Sequence, residues 1–271
     1  MNIVVLIKQV PDTWSERKMS EDDFTVDRGA ADAVLDEINE RAVEEALLLK
    51  EAGDAEVTVL TMGPDRATDA IRKALSMGAD KAVHVSDEAL HGSCAAQTAT
   101  ALAKVISSLG QVDLVIAGNE ATDGRSGAIP AMLAEVLGRP QLTHVRKLSV
   151  EGTTVTAERE TDDGVYQLEA TLPAVVSVTE KINEPRYPSF KGIMAAKKKP
   201  VTTMSLVDAG IDPSEVGLAS ALSAVSATAP KPARTAGERV ADEGEGGSEQ
   251  PGGGTRRASR LTATRPTRLA A

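Results

Sequence analysis

The stretch "AGNEATDGRSG" (117–127) holds the densest set of chemically useful groups in this 271-residue chain. It sits between an apolar run, "VDLVIAGN" (112–119), and a helical pattern, "AIPAMLAEVLG" (128–138). Backbone N–H groups of such a loop can surround a phosphate at a helix start. The hydroxyls of Thr122 and Ser126 offer further donors, and Arg125 offers a positive charge. The run matches neither the GxGxxG fingerprint nor the GxxxxGK[ST] loop. It reads either as a nucleotide cradle or as an ordinary tight connection between a strand and a helix.

Other reactive side chains form no catalytic constellation. Cys94 is the one cysteine, which leaves no internal disulfide and no cysteine cluster for a metal. It opens a helical pattern, where a thiol pKa can fall, but its type and setting also suit a small buried core residue. His84, His91 and His144 stand alone without metal-ligand spacing, so no metal site is expected. Glu158 and Glu160 flank Arg159 on a period-two stretch, which places both acids on one face and Arg159 on the other.

The elements that must position these groups are legible as two alternating periods. "NIVVLIK" (2–8), "EVTVLTMG" (56–63), "KAVHVSD" (81–87) and "VDLVIAGN" are short β-branched runs. Nearly continuous apolar runs suit strands buried on both faces of a parallel sheet. Between them, "LDEINERAVEEALLLKEAG" places Leu35, Ile38, Ala42, Ala46 and Leu49 at helical steps and ends at Gly53. "DRATDAIRKALSMGAD" does the same with Ala67, Ala70, Ile71, Ala74 and Leu75 and stops at Gly78. "SCAAQTATALAKVISSLG" starts at Ser93, a good N-cap, and stops at Gly110. This alternation predicts an α/β fold with a doubly wound, mostly parallel sheet. From 141 to 182 the period changes to two, with turn signals at "EGT" and "TDDG", predicting an antiparallel hairpin extension before the buried strand "PAVVSVTEKI".

Formal net charge is −10, which argues against nucleic-acid binding over the whole surface. The opening apolar run Ile3–Ile7 ends at Lys8, too short for a membrane span or a signal segment, so a cytoplasmic protein is expected. The chain divides into an α/β domain over 1–205, an extended arm over 206–240 and a Gly/Arg-rich tail over 241–271. The tail's composition is that of a disordered segment.

One stretch contradicts the general shortage of aromatics, since there is one Trp, two Tyr and two Phe in all. "NEPRYPSFKGIMAAKKKP" (183–200) brings Tyr187 and Phe190 together between prolines and three lysines. Pro185 and Pro188 exclude a helix interior and a central strand, so an extended surface loop is predicted from 184 to 190. A short helix follows over 191–199, with Ile193 and Met194 near its start and cations in its last turn. An exposed aromatic beside apolar residues and rimmed by lysines suits docking of an acidic partner.

These residues carry a resemblance. "LPAVVSVTEKINEPRYPSFKGIMAAKKKP" resembles the hallmark segment of the electron transfer flavoprotein β-subunit family. "AVEEALLLKEAG", "VLTMGP", "ALSMGADKAVHV", "VDLVIAGNEATDG" and "RTAG" fall in that family's order, covering about residues 1–240. The resemblance implies a Rossmann-like subunit that pairs with an α subunit holding most of an FAD. It implies a structural AMP on this chain, held by Gly118, Asn119, Glu120, Ala121, Thr122, Asp123, Gly124, Arg125, Ser126, Gly127, Ala128 and Ile129, with Leu6, Asn39 and Met62. It further implies a protruding recognition loop for flavoprotein dehydrogenases such as acyl-CoA dehydrogenases: Asn183, Glu184, Pro185, Arg186, Tyr187, Pro188, Ser189, Phe190, Ile193, Met194, Lys197, Lys198 and Lys199. Phe190 would be its anchor, and Glu160 would restrain the mobile flavin domain. In place of the family's C-terminal amphipathic helix stands the Gly/Arg-rich tail. The intact "NEPRY" favours the AMP-binding, non-bifurcating type, an electron carrier rather than an enzyme, feeding the respiratory chain. The alternatives are a bifurcating subunit with a second FAD that oxidises NADH, and a non-redox adenine-nucleotide-binding module.

Overall fold

Alternation within the first strand decides the architecture. In β1 (Asn2–Leu6), Ile3 and Val5 enter one apolar cluster while Val4 and Leu6 enter another. A strand buried on both faces needs a helical layer on each side. The structure is a computed structural model that describes residues 1–229 and 232–234; the proposed tail over 241–271 lies outside the described residues.

After β1 come a small antiparallel ladder, β2 (Gln9–Pro11) with β3 (Ala33–Leu35), and helix α1 (Glu37–Ala52). Then follow β4 (Glu56–Met62), α2 (Thr68–Met77), β5 (Lys81–Val85), α3 (Ala95–Ser108), β6 (Leu114–Gly118) and α4 (Ile129–Leu137). Three long strands succeed them, β7 (Gln141–Glu151), β8 (Thr154–Thr161) and β9 (Gly164–Thr171), then β10 (Ala174–Val178), α5 (Phe190–Ala196) and β11 (Val201–Met204).

The main sheet has nine strands in the order β11-β5-β4-β1-β6-β10-β7-β8-β9. The first seven in that order pair in parallel, and β8 and β9 add to β7 as antiparallel hairpins. This is the expected doubly wound α/β sheet with its extension. Helices α1 and α2 cover the cluster of Ile3, Val5, Val57, Val59, Leu114 and Val176, while α3 and α4 cover Val4, Leu60, Val83, Val115 and Val175. Succession runs outward from β1 through β4 to β5 on one side and resumes at β6 on the other. The crevice beyond the carboxyl ends of β1 and β6 is therefore the topological switch point, where open α/β sheets place ligands.

Several boundaries differ from the sequence reading. Helix α3 is capped at Cys94, not Ser93: the Cys94 N–H donates to Gln97 Oε1 at 2.8 Å, and Ser93 Oγ donates to Leu90 O. Cys94 itself is half-buried rather than a core residue. Helix α5 begins at Phe190 and ends at Ala196, so Lys197 is its C-cap and Lys198 and Lys199 lie beyond it. The Ser189 hydroxyl accepts the Gly192 N–H at 3.0 Å and fixes that early start. β11 was not anticipated; it extends the sheet's edge by pairing Val201 with Ala82. Beyond it, Leu206, Ala209, Ile211 and Val216 are buried in the cluster under α3.

Candidate functional site

Leu6, Met62 and Gly118 end the adjacent strands β1, β4 and β6, so the sheet itself gathers them at the switch point. Asn39, in the first turn of α1, packs against Gly118 so closely that a Cβ there would lie 2.6 Å from Asn39 Nδ2. Glycine at 118 is what lets α1 approach the end of β6.

The following loop is held from several sides. The Asn119 N–H donates to Val178 O at 2.8 Å, tying the loop to β10. Thr122 donates through both its N–H (2.7 Å) and its hydroxyl (2.8 Å) to Asp36 Oδ2, and Asp36 also caps α1. Asp123, whose side chain is fully buried, accepts from Lys8 Nζ at 3.0 Å and from Arg28 Nε and Nη2 at 3.0 and 2.8 Å. Burial opposes ionisation of that carboxyl, but the Lys8 and Arg28 charges and hydrogen bonds outweigh it and hold the pKa below the usual carboxylate value. The side chains of Thr122 and Asp123 are thus engaged with the protein and shape the loop.

What remains open to a ligand is the backbone of 126–128 and the exposed side chains of Arg125 and Ser126. Arg125 (φ 49°) and Gly127 (φ 63°) adopt left-handed conformations that turn the chain into α4. Among the described residues, the N–H groups of Ser126, Gly127 and Ala128 meet no acceptor. Ala128, the N-cap of α4, has no side-chain oxygen to cap the helix, and Pro130 lies in its first turn. Uncapped amides at a helix start favour an anion. Arg125 is largely exposed beside them, with only a long 3.7 Å approach to Glu120. Asn119 Oδ1 is buried without a partner in the same loop. These features fit the phosphate and polar edges of a nucleotide.

A second candidate region is the loop from 183 to 199. Residues 183–189 form neither helix nor strand, as the prolines required. The loop is clamped to α1. Asn183 donates to Arg41 O and to Glu45 Oε2, and Arg41 donates back to Asn183 O. Arg186 grips Glu44 through Nε (2.8 Å), Nη2 (2.9 Å) and its own N–H (3.1 Å), and reaches Glu51 as well. Burial pushes the Glu45 carboxyl pKa up against the Asn183 bond, and neighbouring Glu44 adds to the rise. Held this way, the loop presents Tyr187 at 96% and Phe190 at 80% exposure, with Ile193 and Met194 partly exposed beside them. The lysine rim is smaller than the sequence suggested. Lys199 Nζ donates to Leu75 O and Ala79 O, capping the end of α2, which leaves Lys197 and Lys198 on the surface.

Glu160 lies apart, on the hairpin extension. Arg146 bridges Glu158 (3.3 Å) and Glu160 (3.0 Å), confirming that both acids share a face, and Lys181 also reaches Glu160. Arg159 points the other way and donates to Thr143 O. Sequence reasoning missed Asp36, Lys8, Arg28, Glu44 and Glu45. Only Asp36 left a signal, as an Asp preceding a helical pattern.

The fold and its switch-point loop define a Rossmann-like, doubly wound α/β protein. Residues 23–209 match the electron transfer flavoprotein domain. The chain is 68% identical over 253 residues to the electron transfer flavoprotein subunit beta of Mycobacterium tuberculosis, covering 92% of this chain and 95% of that one. A similar subunit from Megasphaera elsdenii is 35% identical, covering 90% and 94% of the two chains. The caffeyl-CoA reductase-Etf complex subunit CarD of Acetobacterium woodii is also 35% identical, covering 89% and 92%. The chain belongs to the electron transfer flavoprotein family, as a β subunit. Among the described residues, no helix is long and apolar enough to cross a membrane.

Proposed function

We propose that this β subunit works in a single-flavin, non-bifurcating carrier in the cytoplasm. It pairs with an α subunit that holds most of the FAD, accepts electrons from flavoprotein dehydrogenases and passes them toward the respiratory chain. The flavin, when bound, supplies the electron-carrying chemistry. This chain's residues bind and orient. The backbone amides of 126–128 and Arg125 hold the phosphate of an AMP, while Gly118, Asn39, Leu6 and Met62 shape its pocket. The loop from Asn183 to Lys199 docks the dehydrogenase through Phe190, and Lys197 and Lys198 steer an acidic partner. Glu160, within its cluster of Arg146 and Lys181, restrains the flavin domain by exchangeable ion pairs.

The observation that carries this reading is the clamped loop itself. Arg186 and Asn183 fix its backbone on buried acids of α1, yet Phe190 and Tyr187 stand in solvent. An apolar tip on a rigid mount suits brief contact with another protein. The test is to co-express the chain with its α subunit, denature the purified complex and separate the released nucleotides. One FAD with one AMP per complex supports the carrier. Two FADs would refute it in favour of a bifurcating enzyme, and no flavin would refute the redox role.

A further inference from the structure

Asp36 is fully buried and spans 86 positions to reach the loop it touches. Its two carboxylate oxygens do separate work. Oδ1 accepts from the N–H groups of Ile38 (3.0 Å) and Asn39 (3.2 Å) and caps α1. Oδ2 accepts the N–H and the hydroxyl of Thr122. We infer that Asp36 is the positioning residue of the 118–129 loop, setting the shape in which its free amides face a ligand. The inference rests on the nucleotide reading above and adds that the cradle is moulded by the start of a different helix.

Three fixings follow one another along the loop: Asn119 on Val178, Thr122 on Asp36, Asp123 on Lys8 and Arg28. Past them the chain turns through Arg125 and Gly127 into uncapped amides. Of the three, the Asp36 contact alone joins the loop to α1, whose Asn39 also packs on Gly118. The chemistry demands a carboxylate. Asparagine caps helices as well as aspartate does. With its one oxygen at the cap, however, its NH2 would meet the Thr122 N–H, donor against donor. With the amide turned over, the cap would be lost. Asp36→Asn therefore separates the two jobs.

The experiment uses the full chain in complex with its α subunit, freed of endogenous nucleotide, with AMP as the probe in equilibrium dialysis. Asp36→Asn should weaken AMP binding about ten- to a hundred-fold, the range for hydrogen bonds to a charged group. Helical circular dichroism should not change. Thr122→Val should weaken binding less, because its N–H stays, and adding it to Asp36→Asn should cost little more, since the same contact is already lost. Hydrogen exchange of residues 119–128 should quicken in Asp36→Asn. Equal AMP affinity in wild type and Asp36→Asn would overturn the inference. If the wild-type complex takes up no AMP, the nucleotide reading has failed. The positioning role then stands or falls on the exchange alone: faster exchange supports it, and unchanged exchange refutes it.

Discussion

Replacing Arg186 with Ala removes four side-chain hydrogen bonds from the mount of the 183–199 loop, two to Glu44 and two to Glu51. Glu44 is 5% exposed and would keep only the amide N–H of residue 186. Breaking a fully buried pair costs about 3–5 kcal/mol. Here the arginine side chain is 32% exposed, so water compensates part of the loss and about 2–3 kcal/mol is expected. At about 1.4 kcal/mol per decade, local opening should rise roughly 30- to 150-fold. Hydrogen exchange of residues 183–190 reads this directly, with the amides of β4 as an internal control. Arg186→Lys, which keeps charge but loses the planar fork, should fall between wild type and Ala. Exchange in 183–190 that does not differ between Arg186→Ala and wild type would show that the clamp does not hold the loop.

Phe190→Ala should slow electron acceptance from a dehydrogenase about 10- to 30-fold, as expected for an interface anchor worth about 2 kcal/mol, while flavin content stays constant; stopped-flow reduction kinetics check it. Asp123→Asn should cost about 2 kcal/mol at pH 7, since its partners Lys8 and Arg28 are themselves partly exposed. Because the folded pKa of Asp123 lies below the unfolded value of about 3.9, its contribution is whole above that pH and is lost as pH falls through the folded value. Thermal melts should therefore show the gap between wild type and variant closing below about pH 4. At Gly192, an added Cβ would lie 2.4 Å from Ser76 O, a backbone atom on α2. Gly192→Ala should force α5 away from α2 at a cost of about 1–3 kcal/mol in melting experiments, without changing nucleotide content.

The sheet was legible because its strands are buried on both faces and read as unbroken apolar runs, and because "EGT" and "TDDG" mark the hairpins. β11 escaped notice since a four-residue edge strand, exposed at Thr202 and Thr203, has too few apolar positions to show a period. The candidate loop was visible from its glycines and its place between a strand and a helix. The duties within it were not. Thr122 and Asp123 look like ligand groups in sequence, yet their partners are Asp36, Lys8 and Arg28, 86, 115 and 95 positions away. Similarly, three consecutive lysines read as one basic rim, but a turn of geometry sends Lys199 back onto the end of α2. Pairing across the fold leaves no local trace.

The clamp between α1 and the 183–199 loop also limits how that loop, and the docking role proposed for it, can be moved between proteins. Residues 183–199 are contiguous in sequence, but the unit that holds them is not. Its other half is Arg41, Glu44, Glu45 and Glu51 on α1. A loop transplanted alone would arrive with Asn183 and Arg186 facing a foreign helix. The portable unit is a split one, a helix face plus a loop 142 positions away. Because Asp36, the N-cap of the same helix, also holds the 118–129 loop, exchanging the helix exchanges a support of that loop as well.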